Sequence, residues 1–358
     1  MCEKNYNRTE LIPVSCWCGS LDLQSFSSEY YRCNVCETLV VKKRPSAEEL
    51  VVRDDVIDFY GKEYWFNYEK QRNLPNIFER TRADLPERCS YWLRFILKYV
   101  SFGSKTLELG CGNGGLVYMM RLAGYDSAGI EMSPWICNYI RTTFEVPVYQ
   151  GPLEDADFPD ESLDAVIMLD VLEHLPNPVT VLNLVRKKLK QDGILVIQTP
   201  QYMTGLRYDE LVENKAPFLT VLQPEEHLFL FSEHSGCRLL KETGFPSITQ
   251  EPAIFPYDMF LFASRKPLIV QTKEEVIADL CERPAGRLVQ ALLDSCDERE
   301  SLRKQLTVID ADREARLEQI CTLTDMLHKQ LALSDADRAN LLEQIHTLTD
   351  MVHKLQQK

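Results

Sequence analysis

Positive charge and long apolar runs are what this chain has too little of. Its 40 Lys and Arg face 54 Asp and Glu over 358 residues, a formal net charge of −14. Nucleic-acid binding leans on basic patches that neutralise phosphates, so a polyanion is excluded as a general partner. No stretch reaches the roughly 20 apolar residues that cross a bilayer, and no basic-flanked apolar core of secretory type opens the chain. The expectation is a cytoplasmic protein without a transmembrane segment. Glycine and proline are also missing after Gly286, which excludes a solenoid whose repeats need turns. The length exceeds one typical domain and suggests a large domain with appendages.

Cysteine is not scarce, at twelve residues. Without a secretory signal these read as thiols or metal ligands, not as a disulfide framework. Four are organised, as Cys16-Trp17-Cys18 and Cys33-Asn34-Val35-Cys36. Two knuckles of closely spaced thiolates can complete a tetrahedral zinc shell, and so short a segment could hardly fold on its own apolar content. The first pair has one intervening residue where ribbons have two, and Ser15 stands at the usual ligand position. A structural zinc ribbon is expected, with free thiols as the other reading. A catalytic metal is not expected there, since four thiolates leave no open position.

The centre of the chain carries its chemistry. Thr106-Leu107-Glu108-Leu109 reads as a strand, and Gly110-Cys111-Gly112-Asn113-Gly114-Gly115 as a tight turn into a helix from Leu116 to Ala123. Gly110, Gly112 and Gly115 satisfy the G-x-G-x-x-G dinucleotide pattern. Glu108 argues against a pyrophosphate, because a carboxylate there repels phosphate but attracts an ammonium or sulfonium group. S-adenosylmethionine (SAM) carries both cations. Ser127 to Glu131 reads as the next strand, and an acid about 20 residues past the turn accepts from ribose hydroxyls in doubly wound folds. Gly151 to Asp155 then forms an acidic turn, Leu163 to Leu169 a strand, Asp170-Val171-Leu172-Glu173-His174 its outlet, Val179 to Leu189 a helix and Gly193 to Thr199 another strand.

From about Trp92 to Ser264 this succession, with a late Gly244-Phe245, resembles the class I SAM-dependent methyltransferases of the small-molecule or sugar type. The resemblance implies an α/β fold, a doubly wound Rossmann-like seven-stranded methyltransferase sheet with a last antiparallel strand near Met259 to Ser264. It implies SAM contacts from Glu108, Gly110, Cys111, Gly112, Gly114, Glu131, Met132, Leu153 and Leu169. Cys111 is expected as a small turn residue and not as a nucleophile.

Methyl transfer from a sulfonium needs alignment, exclusion of water and often a base for the acceptor. His174, at the carboxyl edge of the sheet, and His227, in the insertion after the fifth strand, are the candidate bases, with Glu226 or Glu173 orienting the ring. The structural alternatives are that His174 bonds the loop at Asn177 and that His227 packs or caps. The aromatic stretch Phe59 to Tyr68 is either a helix packing its rings on the sheet or a lid over the site, with Tyr60 and Tyr64 spaced to share a helix face.

From about Lys273 the chain is helical in pattern and repeats itself. Asp310-Ala311-Asp312-Arg313 recurs as Asp335-Ala336-Asp337-Arg338, Leu317-Glu318-Gln319-Ile320 as Leu342-Glu343-Gln344-Ile345, and Leu323-Thr324-Asp325-Met326 as Leu348-Thr349-Asp350-Met351. The offset of 25 residues is about 3.57 residues per turn over seven turns, so one apolar stripe persists with little supercoiling. A coiled coil with a second copy or a partner helix is expected; a solvated helix without a partner is the alternative.

The domain reading is a zinc-ribbon-like module over 1–45, a helical lid and linker over 46–91, the methyltransferase domain over 92–267, and a helical coiled-coil tail over 268–358. The acidic composition, the aromatic lid and the ribbon's resemblance to the N-terminal modules of sugar methyltransferases favour O-methylation of a sugar or glycan hydroxyl. The alternatives are a ubiquinone-biosynthesis-like or natural-product O-methyltransferase, a sugar C-methyltransferase, or a non-catalytic coiled-coil scaffold.

Overall fold

The computed structural model describes residues 14–46, 48–68 and 75–356, with backbone alone at 67, 68 and 355. Residues 1–13 of the expected ribbon and 47 and 69–74 of the expected lid therefore lie outside the described residues. Two compact units are present, Met1–Cys296 and Asp297–Lys358.

In the first unit the strands are β1 (Leu23–Ser25), β2 (Tyr30–Cys33), β3 (Leu39–Val41), β4 (Lys105–Leu109), β5 (Asp126–Glu131), β6 (Val148–Gln150), β7 (Leu163–Leu169), β8 (Leu189–Pro200), β9 (Phe229–Leu230), β10 (Ser247–Glu251) and β11 (Asp258–Ser264). Seven of them form one sheet in the order β10-β11-β8-β7-β4-β5-β6. β6, β5, β4, β7 and β8 run parallel, while β11 is antiparallel to both of its neighbours. β7 and the second half of β8 are near-continuous apolar runs because both faces of a parallel sheet are covered by helices. The expected seven-stranded doubly wound sheet is therefore the observed one. β6 and β10, the two edge strands, are the ones that the sequence reading did not mark.

The crossover helix Gly115–Ala123 packs Leu116, Val117 and Met120 against the sheet and ends at Gly124, whose φ of +100° suits a left-handed helix stop. A second helix, Pro134–Phe144, follows β5 with Ser133 as its cap. The main core joins Leu107, Leu109, Val166, Met168, Leu195 and Ile197.

A second, four-stranded sheet has the order β1-β2-β3-β9. Its last strand comes from the insertion after β8: Leu39 pairs with Leu230 and Val40 with Phe229. The cysteine-bearing hairpin is thus sewn into the α/β domain by main-chain pairing. Residues 268–296, which the repeat pattern groups with the tail, contribute Leu280, Val289, Leu293 and Cys296 to the buried interior. Leu280, Val289 and Leu293 join a core cluster with Trp92, Leu93 and Ile96.

The second unit is helical to Gln356 as the end of a helix beginning at Pro284. Its Leu317, Ile320, Leu342, Ile345, Leu348 and Met351 are exposed, each by more than half. Ion pairs along the helix include Arg316 with Asp312 at 2.8 Å and Arg313 with Asp310 at 3.4 Å. Among the described residues no helix is long and apolar enough to cross a membrane.

Candidate active site

The glycine turn leaves β4 with Gly110 at φ +65°, Gly112 at +50° and Gly114 at +77°, conformations that side chains rarely adopt. Space is short as well: a Cβ on Gly110 would lie 2.7 Å from Val171, and one on Gly114 2.7 Å from Ile140. Asn113 closes the turn by accepting the Gly115 N–H at 2.9 Å and donating to Asp84 at 2.9 Å.

Glu131, at the end of β5, reaches across this turn. Its carboxylate accepts N–H groups from Gly112 (3.1 Å), Met132 (2.8 Å) and Ser133 (3.2 Å). Burial pushes its pKa up, and these three donors pull it back. A carboxylate has about four lone-pair sites, so acceptor capacity remains for a hydroxyl. Glu108 is buried beneath the same turn, and its Oε2 accepts no hydrogen bond. Burial, reinforced by the negative Glu131 carboxylate, raises its pKa well above the usual range. A cation placed here would reverse both effects, which fits the ammonium of SAM. An orphaned buried acceptor beside a glycine turn is what the expected methyl donor would satisfy.

The other expected cofactor residues border this region. Leu169 ends β7, and Leu153 is buried in the short helical turn after β6. Met132 is half-buried beside Glu131. Cys111 turns its sulfur away from the turn onto Gly129, where an added Cβ would lie 2.4 Å from that sulfur. Its backbone alone lies in the turn, and burial pushes its thiol pKa well up.

Beyond the glycine turn, the segment from Asp55 to Phe66 links the two ends of the site. The Asp55 carboxylate accepts from Ser133 Oγ at 2.8 Å, and Trp65 lies 3.6 Å from the Cβ position of Gly112. The Trp65 indole N–H is buried and donates to nothing described. Tyr60 and Tyr64 do not share a regular helix face, since Tyr60 lies in the turn before the helical residues and Tyr64–Tyr68 is a π-helical turn. Their rings nonetheless meet at 5.4 Å. Tyr60 Oη lies 3.1 Å from His174 Nδ1, and Tyr64 donates to Glu226 at 3.4 Å.

His174 and His227 stand together, ring centroids 4.9 Å apart. The His174 Nδ1 lies 2.9 Å from the Glu226 carbonyl and that of His227 2.6 Å from the Val221 carbonyl. A carbonyl only accepts, so both rings carry their proton on Nδ1 and their lone pair on Nε2. The partner of the His174 ring on this side is the main chain of Glu226, not the loop at Asn177. Glu226 is buried, but its carboxylate meets Tyr64 while Glu173 faces the His174 Nε2 at 4.0 Å. Thr199 donates to the other Glu173 oxygen at 2.8 Å, and burial, then repulsion from Asp170, raises the Glu173 pKa well above normal. Asp170 holds a left-handed φ of +55° and accepts from Gln198, which in turn takes the Trp92 indole N–H. Strain of this kind persists where the surroundings over-determine it.

Two contributors have no sequence signal of their own. Tyr30, fully buried in β2, donates to the His227 carbonyl at 2.9 Å. Asp258, at the start of β11, faces Asp170; burial first, then that charge, pushes its pKa up to about 8.

The four ribbon cysteines lie together, one sulfur from each within 4.8 Å of the others. Cys16 and Cys36 are 3.4 Å apart, Cys18 and Cys33 3.7 Å. These are edge lengths of a tetrahedron with metal–sulfur bonds of about 2.3 Å, so the one-residue spacing of Cys16 and Cys18 fits a zinc shell. Hydrogen bonding within the set pulls the Cys36 thiol down to about 5 and holds that of Cys16 up.

Residues 80–250 match a family model described as a methyltransferase domain. Over 112 residues the chain is 31% identical to a ubiquinone biosynthesis O-methyltransferase from Actinobacillus pleuropneumoniae serotype 7 (strain AP76), a match covering 27% of this chain and 46% of that protein. Over 169 residues it is 28% identical to the protein of the same name from Hydrogenovibrio crunogenus (strain DSM 25203 / XCL-2), covering 42% and 70%. The chain spans about half the length of the first curated relatives it matches. Among solved structures, the magnesium protoporphyrin IX methyltransferase of Synechocystis PCC 6803 is similar with a TM-score of 0.42 and 17% identity, over 57% of this chain and 97% of that one.

Proposed function

We propose that this chain, whose residues 80–250 match a family model described as a methyltransferase domain, moves the methyl group of SAM to a hydroxyl oxygen of a sugar or glycan. The observation that carries this reading is the pairing of a cation-seeking pocket, with its orphaned Glu108 oxygen, with two histidines whose Nε2 lone pairs stand at the carboxyl edge of the sheet. When bound, SAM supplies an electrophilic methyl group on a sulfonium. Glu108 would hold its ammonium and Glu131 its ribose hydroxyls, while the Gly110 to Gly114 backbone allows the close approach. Tyr60, Tyr64 and Trp65 exclude water and orient the acceptor. The Nε2 of His227 or His174 takes the hydroxyl proton, its ring held by the carbonyl behind Nδ1.

A second reading is supported by the names of the curated relatives, that the oxygen methylated belongs to a compound of ubiquinone biosynthesis. In either reading zinc fills the four-cysteine cluster as a structural ion, the protein works in the cytoplasm, and the exposed apolar residues of the second unit pair with a helix of another copy. Incubation with methyl-labelled SAM and, separately, nucleotide sugars, extracted glycans and quinone precursors tests it. Label in the carbohydrate fractions is expected; label in the quinone precursors alone would replace the first reading by the second, and no transfer to any, with no binding of S-adenosylhomocysteine, would sink both.

A further inference from the structure

Outside the cysteine cluster, a second group of metal-ligating side chains is present: Glu173, His174 and His227 each offer one ligand atom within 4.8 Å of the other two. Their hydrogen bonding is already that of ligands. Both imidazoles give Nδ1–H to a backbone carbonyl, of Glu226 at 2.9 Å and of Val221 at 2.6 Å, and carbonyls behind the ring are what fix the tautomer and direction of metal-binding histidines. The Glu173 side chain has no exposed surface; Thr199 occupies Oε2 at 2.8 Å, and Oε1 accepts no hydrogen bond. That orphaned oxygen lies 4.0 Å from His174 Nε2. Ligand atoms bound at about 2.0–2.2 Å around one ion lie roughly 3.4 Å apart, so this pair needs to close by only about half an ångström. Leaving a carboxylate oxygen buried without a partner is costly, and a cation removes the cost.

We propose that Glu173, His174 and His227 bind a divalent ion of borderline character, Zn2+ or Co2+, in an open three-ligand site. Two imidazoles and one carboxylate suit such ions, and three protein ligands leave a position for an exogenous oxygen. The four-thiolate cluster has no such position. The use of the open position, holding the acceptor oxygen, rests on the methyl-transfer reading; the binding of the ion does not. A hydroxyl coordinated there loses its proton to water more readily, so the ion takes over the activation that the imidazoles provide without it.

The test counts tight Zn2+ equivalents bound by the chelator-stripped full chain and by its His174→Gln/His227→Gln variant, with S-adenosylhomocysteine affinity measured on both. One equivalent fewer in the variant is expected, with that affinity retained. Equal counts would overturn the site. Should the variant not fold, Co2+ is titrated into the unaltered chain: visible bands of nitrogen- and oxygen-bound cobalt, beyond the thiolate-to-cobalt absorption, are expected, and thiolate-type bands alone overturn the proposal. A histidine-dependent ion in a chain that binds no S-adenosylhomocysteine would uphold the metal site while removing the methyl-transfer reading.

Discussion

The hydroxyl of Tyr30 donates a 2.9 Å hydrogen bond to the main-chain carbonyl of His227. The two segments are joined a second time, since Val41 at the end of the same hairpin donates to the Leu228 carbonyl at 3.0 Å. The cysteine hairpin therefore sets the height at which His227 stands. Tyr30→Phe leaves a buried carbonyl without its donor, at a cost of about 1–3 kcal/mol. We expect a lower denaturation midpoint and reduced turnover with unchanged affinity for S-adenosylhomocysteine. Weakened cofactor binding would contradict the assignment of Tyr30 to the acceptor end.

Glu131→Ala removes the carboxylate that ties the glycine turn to β5. Cofactor affinity, read by calorimetry with S-adenosylhomocysteine, is expected to fall by about tenfold or more, equivalent to at least ~1.4 kcal/mol. Unaltered affinity in a folded variant would take the ribose role away from Glu131.

The pH dependence of stability has a definite sign. Asp258 is pushed up to about 8 in the folded chain, above its value of about 3.9 in an unfolded one. Its contribution is fully present below the unfolded value and is lost as pH rises from about 4 to about 8. Asp258→Asn keeps the shape and removes the charge. It is expected to stabilise the protein at pH 8 by on the order of 1–3 kcal/mol and to flatten the pH profile, with little change at pH 4. Thermal melts across that range decide it; a variant less stable than the parent at pH 8 would refute the argument.

Cys36→Ser withdraws one ligand from the sulfur cluster. Elemental analysis is expected to show one zinc fewer per chain, and the melting temperature to drop, because β3 and β9 share the sheet that the cysteines close. Retention of both zinc and stability would leave the four residues as ordinary thiols.

Truncation after Cys296 removes the repeats. Cofactor affinity is expected to stay as it is while the sedimentation coefficient of the full chain, relative to its monomer mass, reports self-association that the shortened chain lacks. A monomeric full chain would favour a helix from another protein as the partner.

The strands β4, β5 and β7, the glycine turn and Glu108 were legible because each depends on residues close in sequence: apolar runs for the strands, and the switch to helical spacing after Gly115. β6 and β10 were not, since β6 is only three residues long and the half-buried edge strand β10 alternates weakly. At the site, the grouping of Glu173, His174 and His227 was only partly readable. Position at the end of β7 places the first two, but that the Glu226 carbonyl stands behind His174 Nδ1 depends on how the insertion folds back. Tyr30 and Asp258 were invisible for the same reason: their partners lie 197 residues away, for Tyr30, or across the sheet, for Asp258. The aromatic stretch was recognised by composition, yet a π-helical turn in place of a regular helix changed which rings meet.

The pairing of Leu39 with Leu230 also has a temporal side. A ribosome adding about 5–20 residues each second needs roughly 10–40 s between the two positions. Through that interval the hairpin has its turns and thiols but not its fourth strand. Newly made chains therefore pass through a stage in which the four thiols are complete and unshielded, and if zinc fills the cluster as proposed, its capture would precede closure of the histidine-bearing loop.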